Sequence, residues 1–270
     1  MLISLLLGIF IGLVMGLTGA GGGILAVPAL VAGMGWPMQQ AAPVALIAVG
    51  CSAALGAIEG FQRGLVRYRA ALWMAVAGAP FTALGSMLAR RLSQGLLMAL
   101  FAIVMLWVAY RLMQGHGRIM SRAAQEDCGR KAGHVNPDTG RFEWGAPTIA
   151  LVGAIGAMTG AISGLLGVGG GFVIVPLLRR FTNVSMHGIV ATSLLVVALV
   201  SGVSVATAVW RGAVLSYDFC AYFTLATGAG MALGRILSRR LPEHRVQQGF
   251  AFVLTCVALA LIVKAATRIV

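Results

Sequence analysis

Acidic side chains are scarce in this chain, which carries seven among 270 residues against 20 lysines and arginines, with charged residues of both signs making up only 10%. A soluble domain draws about a quarter of its residues from that set, so there is too little polar surface here to clothe a water-soluble globule. A nucleic-acid binder gathers its basic residues on one polar, folded face; here they fall at the ends of apolar runs, and no nucleic-acid partner is expected. Cysteine is also rare. Cys51, Cys220 and Cys256 lie in or beside apolar runs and Cys128 stands alone, so no disulfide framework is available. No Ser-His-Asp set or His/Glu metal motif is placed for hydrolysis. His116, Cys128 and His134 have irregular spacing and no obvious fourth ligand for a metal. The sequence therefore implies no cofactor, no metal and no enzyme.

Apolar residues make up 59% of the chain. They gather in runs at roughly Leu2–Gly33, Ala41–Ala57, Ala70–Ala89, Leu96–Leu112, Ala146–Leu178, Gly188–Val209, Phe219–Leu237 and Gly249–Val263. Most match the ~20 residues a membrane-spanning helix needs, which predicts an all-α, polytopic integral membrane protein with the lipid bilayer as its surroundings. Trp36, Trp144 and Trp210 stand at run boundaries, where an aromatic belt would lie. The first and fifth runs are too long for one crossing, since about 30 helical residues at 1.5 Å each overshoot a ~30 Å hydrocarbon core. They are expected to be broken helices or hairpins. The opening segment lacks a basic leader region, and its counterpart recurs internally, so it is expected to remain as the first helix rather than to be cleaved.

Those two long runs share a motif. Gly16-Leu17-Thr18-Gly19-Ala20-Gly21-Gly22-Gly23 with Val27-Pro28 returns 148 positions later as Gly164-Leu165-Leu166-Gly167-Val168-Gly169-Gly170-Gly171 with Val175-Pro176, identical at eight of thirteen positions. Arg63-Gly64 answers Arg211-Gly212, and Ala83 to Leu92 answers Ala232 to Leu241, which puts Arg235 where the first half has Ser86. The chain thus reads as two homologous repeats of about four helical segments, 1–113 and 146–270, joined by a polar linker, 114–145, that holds four of the seven acids.

Counting basic residues bears on topology. If each glycine segment crosses the membrane, the linker side holds 12 basic residues against 8; if each dips in and returns, it holds 15 against 5. The second layout fits positive-inside patterning better. It places both termini opposite the linker and inverts the two halves, as in many secondary transporters.

Glycine costs about 1 kcal/mol per residue in a helix relative to alanine, so clusters inside apolar runs need a reason. A nucleotide-binding loop is excluded, because Gly19 to Ile24 lacks the third spaced glycine, a following acid and a Gly-Lys-Ser/Thr ending. Two readings remain open. Small residues let helices cross closely in lipid, or a broken backbone at Gly19, Gly21, Gly22 and Gly23, and at Gly167, Gly169, Gly170 and Gly171, offers free N–H groups to a small anion. Thr192 and Ser193 follow the second motif and could add hydroxyl donors or bond their own helix. Cys51 is a candidate contact for a sulfur substrate. Glu59 is spaced for an ion pair with Arg63 or for proton coupling.

The double Gly-x-x-Gly-x-Gly-Gly-Gly with Val-Pro, followed by Ala191-Thr192-Ser193-Leu194, resembles the TauE/SafE family of bacterial permeases over both halves. The resemblance implies an inner-membrane transporter, often an exporter, of small sulfur-containing anions such as sulfite or sulfonates, with assembly into a homo-oligomer compatible with it. The first half departs from the pattern with Pro43-Val44-Ala45, so the hydroxyls are not paired across the repeat. A membrane-embedded enzyme or assembly factor handling sulfur through Cys51 is the alternative of a different class.

Overall fold

The computed structural model describes residues 2–19, 22–114, 145–182, 185–210, 212, 217–238 and 243–269. Gly21, Trp144 and the linker residues His116, Cys128 and His134 lie outside them. The described chain is helical nearly throughout, as lipid demands: with no water to satisfy N–H and C=O groups, each segment must bond its own backbone. Among the described residues, six helices are long and apolar enough to cross a bilayer. This is an all-α, multi-pass membrane protein. The outward faces carry residues such as Val76, Leu225 and Phe252, each more than 60% exposed, as a lipid solvent permits.

The first long run is broken as its length required, into α1 (Leu2–Thr18), a 3₁₀ turn (Gly22–Leu25) and α2 (Ala26–Met34). α2 folds back on α1, so that a side chain at Gly33 would lie 2.6 Å from Leu7. α3 (Met38–Gln62), α4 (Tyr68–Arg91) and α5 (Gln94–Gln114) complete this half. After residue 145 come α6 (Ala146–Leu166), the short α7 (Gly171–Phe181), α8 (Met186–Trp210), α9 (Tyr217–Ser238) and α10 (Glu243–Ile269). α6 starts with Pro147 in its first turn, where the missing N–H costs nothing. It ends at Gly167, in a left-handed conformation that carries no steric penalty for glycine.

The halves interlock. α1 lies along α9, α6 along α4, α3 crosses α8 at the centre, and α5 packs on α10. Gly8, Gly12 and Gly16 of α1, and Gly156, Gly160 and Gly164 of α6, repeat every fourth residue on the crossing faces. A methyl group at Gly12 would collide with the Thr227 carbonyl, and one at Gly160 with the Gly78 carbonyl. Such backbone approach is the packing that small residues allow in lipid, so part of the glycine pattern serves helix crossing.

Contacts at the helix ends fix the two faces. The Trp36 and Phe219 rings meet tilted at 45°, their centroids 4.7 Å apart, and Lys264 Nζ donates to the Val31 carbonyl at 2.7 Å. The start of α1, the end of α2, the starts of α3 and α9 and the end of α10 therefore share one face. On the other, Trp73 Nε1 donates to the Ile149 carbonyl at 3.1 Å where α4 and α6 begin. α2 thus returns to the face where α1 begins, and α7 leads to the start of α8, on the face where α4 and α6 begin.

Candidate anion-binding site

Each glycine turn lies against the long central helix of the other half. Gly19 packs on Val190 of α8, and Gly167 packs on Ala42 of α3, where an added methyl group would overlap the neighbour. Their inner ends converge on Val49: Gly23 approaches its side chain and the Val168 carbonyl, while Gly169 approaches Val49, Val197 and Ser201. Gly22 opens the 3₁₀ turn and Gly171 opens α7. The N–H groups of Val168, Gly169 and Gly170 find no backbone acceptor among the described residues.

Buried hydroxyls surround this second turn. Thr159, Ser163 and Ser201 are at most 1% exposed, and none of their hydroxyl oxygens has a hydrogen-bond partner among the described residues. Thr159 touches the position a Gly170 side chain would occupy, and the Ser201 oxygen lies 3.2 Å from that of Gly169. Unpartnered buried hydroxyls cost of order 1–3 kcal/mol each, which points to a site that supplies the missing partner when filled.

A cavity of about 90 Å³ opens beside the turn, toward the face that carries the start of α3. Its walls include Gly164 to Gly167 at the end of α6, and its polar lining is Gln39, Ser86, Arg90, Ser163, Ser204 and Thr207. Ser86, Ser204 and Thr207 bond carbonyls of their own helices at 2.8–2.9 Å and can rotate toward a guest. Arg90 is exposed at the rim and brings the one cation. Neutral donors within and a cation at the mouth suit a small oxyanion. A larger cavity, about 350 Å³, is walled by Trp107, Met158, Phe172 and other apolar residues and offers an anion nothing.

Of the residues singled out from sequence, Gly167 borders the cavity and Gly169 and Gly170 form the hydroxyl-ringed turn behind it. Thr192 and Ser193 lie elsewhere. Thr192 Oγ1 accepts the N–H of Arg67 at 3.1 Å, and Ser193 Oγ donates to the Val190 carbonyl at 2.8 Å. Cys51 is exposed on the outside of α3. Glu59 pairs with Arg63 at 2.7 Å, as its spacing allows, and also with Arg235 from α9. Ser163, Ser201, Ser204 and Thr207 are not singled out by the sequence, although Ser201, Ser204 and Thr207 stand at helical spacing in a largely apolar run.

Comparison with known proteins agrees with this membrane architecture. The model of the family described as sulfite exporter TauE/SafE matches residues 4–261. Two curated proteins named probable membrane transporter protein, from Xylella fastidiosa strains 9a5c and Temecula1, are each 26% identical over 258 residues, covering 93% of this chain and 91% of their own. No solved structure matches.

Proposed function

The chain belongs to the sulfite exporter TauE/SafE family and is a membrane transporter of the bacterial inner membrane; from that premise we propose that it exports a small sulfur-containing oxyanion, such as sulfite or a sulfonate. The observation that carries this reading is Ser163, which borders a cavity of about 90 Å³ beside a glycine turn and whose buried hydroxyl has no hydrogen-bond partner among the described residues. An oxyanion there accepts from Ser163 and from the N–H groups of the turn, and no fixed charge in the depth of the site has to be desolvated with it. Transport by the two halves, 1–113 and 146–270, as inverted repeats follows the pattern in which broken helices meet near the midplane. The re-entrant layout counts 15 basic residues toward the linker against 5, which makes the linker face cytoplasmic by the positive-inside rule and the cavity open outward.

Binding tests the substrate directly. A ligand at about 100 times its Kd stabilises a folded protein by about 2.7 kcal/mol, so sulfite and small sulfonates should raise the melting temperature of the detergent-purified protein and Ser163→Ala should shrink the rise. Stabilisation by none of a panel of sulfur oxyanions would refute the substrate assignment.

A further inference from the structure

The polar cavity has a counterpart on the linker face, and that counterpart is sealed. Positions 148 or 149 apart make reciprocal contacts across the bundle: Gly167 on Ala42 and Gly19 on Val190, Gly85 on the Ala161 carbonyl and Gly234 on that of Leu13. By the same offsets Ser86 corresponds to Arg235, Thr207 to Glu59, Ser204 to Gly56 and Leu46 to Leu194. Where the first of each pair stands, small hydroxyl side chains leave the cavity open. Where the second stands, Arg235 reaches across Gly56, donates to its carbonyl at 3.3 Å and pairs with Glu59. Leu194 and Met231 close over Gly56, 2.9 and 2.7 Å from where a side chain on it would begin.

We propose that the Glu59–Arg235 pair is the gate of the linker face, closed while the Ser86 and Thr207 face is open, and that on opening Arg235 exchanges the Glu59 carboxylate for the transported anion. This rests on the transport reading above. Three features support a gate over a plain structural tie. The pair joins α3 to α9, so it spans the two halves that must move relative to each other. Its side chains are 36% and 24% exposed, and an ion pair with that access to solvent separates cheaply, whereas a fully buried one would lock. Arg235 holds Glu59 through Nη1 while Nη2 bonds the Gly56 carbonyl, and a guanidinium binds a carboxylate or a sulfur oxyanion by the same charge-assisted N–H···O bonds, so the two anions compete for one partner. Arg63 also holds Glu59, at 2.7 Å, and keeps the carboxylate neutralised after Arg235 leaves.

The labelling itself needs no substrate. With the four native cysteines replaced, Leu46→Cys reports the open cavity and Leu194→Cys its sealed counterpart, each probed with an impermeant thiol reagent in right-side-out and inverted vesicles. The gate predicts that Leu194→Cys is protected in the otherwise native chain. Glu59→Gln or Arg235→Gln should raise its labelling from the linker face about three- to fivefold, the range an exposed pair supports, and lower that of Leu46→Cys. The double variant should match either single one, because each change already removes the whole interaction. If Glu59→Gln and Arg235→Gln, inserted at normal yield, lose thermal stability while both labelling rates stay unchanged, the pair is structural and the gate is refuted. Unchanged labelling beside intact sulfite binding overturns the gate alone, and shifted labelling in a protein that binds no sulfur oxyanion overturns the substrate alone.

Discussion

The amide of Gly167 donates to the carbonyl of Ser163 at 2.8 Å, ending α6 at a residue that borders the cavity and whose buried hydroxyl has no partner among the described residues. Ser163→Ala removes that hydroxyl without altering the backbone bond. Since a hydrogen bond to a charged group contributes about 1.5–3 kcal/mol, apparent affinity for the transported anion should fall at least tenfold while the melting temperature of the empty protein holds or rises. Ser193→Ala, whose hydroxyl bonds its own helix, should leave affinity unchanged. Titration of both variants by isothermal calorimetry checks this.

Glycine substitutions should separate into two kinds. Gly12→Leu and Gly160→Leu strike the carbonyls of Thr227 and Gly78, so the helix pairs cannot close and the protein should be lost from the membrane. Gly170→Ala instead meets the Thr159 Cγ2 methyl at a backbone φ of +69°, a conformation that costs about 1–2 kcal/mol for other residues. It should insert, melt at a lower temperature and transport poorly. Adding Thr159→Ser, which deletes that methyl, should recover part of the stability. Membrane yield and thermal melts distinguish the two kinds.

Much of this was legible because it is local. Run lengths and the placement of glycines fixed where helices break, and the Glu59–Arg63 pair followed from four-residue spacing on one helix. Pairings between distant segments were not. Nothing in the order of residues joins Arg235 to Glu59, 176 positions away, or brings Ser201 to Gly169. Thr192 and Ser193 follow the glycine motif in sequence, yet α8 runs between the faces and leaves them toward the linker side, where Thr192 accepts from Arg67 of the α3–α4 loop. The cavity is built from Ser204 and Thr207, three and four helical turns further on.

Sidedness is open to labelling. In a chain with Cys51, Cys220 and Cys256 replaced, Cys128 in the linker should be protected from an impermeant thiol reagent applied to intact cells. Gln40→Cys, exposed at the start of α3, should react in a chain that also lacks Cys128. The reverse pattern would invert the proposed orientation.

Arg90 sits at the cavity rim, where a cation steers anions more than it holds them. Arg90→Gln should slow anion association severalfold at low salt, and the difference should fade as ionic strength rises toward ~1 M and the Debye length falls to about 3 Å. Neutral donors within should also discriminate weakly, so sulfite, sulfate and small sulfonates should compete within about a hundredfold of one another, the fork geometry that sharpens recognition being absent from the open site. Stopped-flow binding across a salt series measures the first, and competition against one labelled anion the second.

The most direct measurement is flux. Purified protein in sealed liposomes loaded with labelled sulfite should release it in a saturable manner, faster than protein-free liposomes, with Ser163→Ala slower at limiting substrate. Release no faster than the lipid leak, for sulfite and for every small sulfonate tried with a folded protein, would contradict the account.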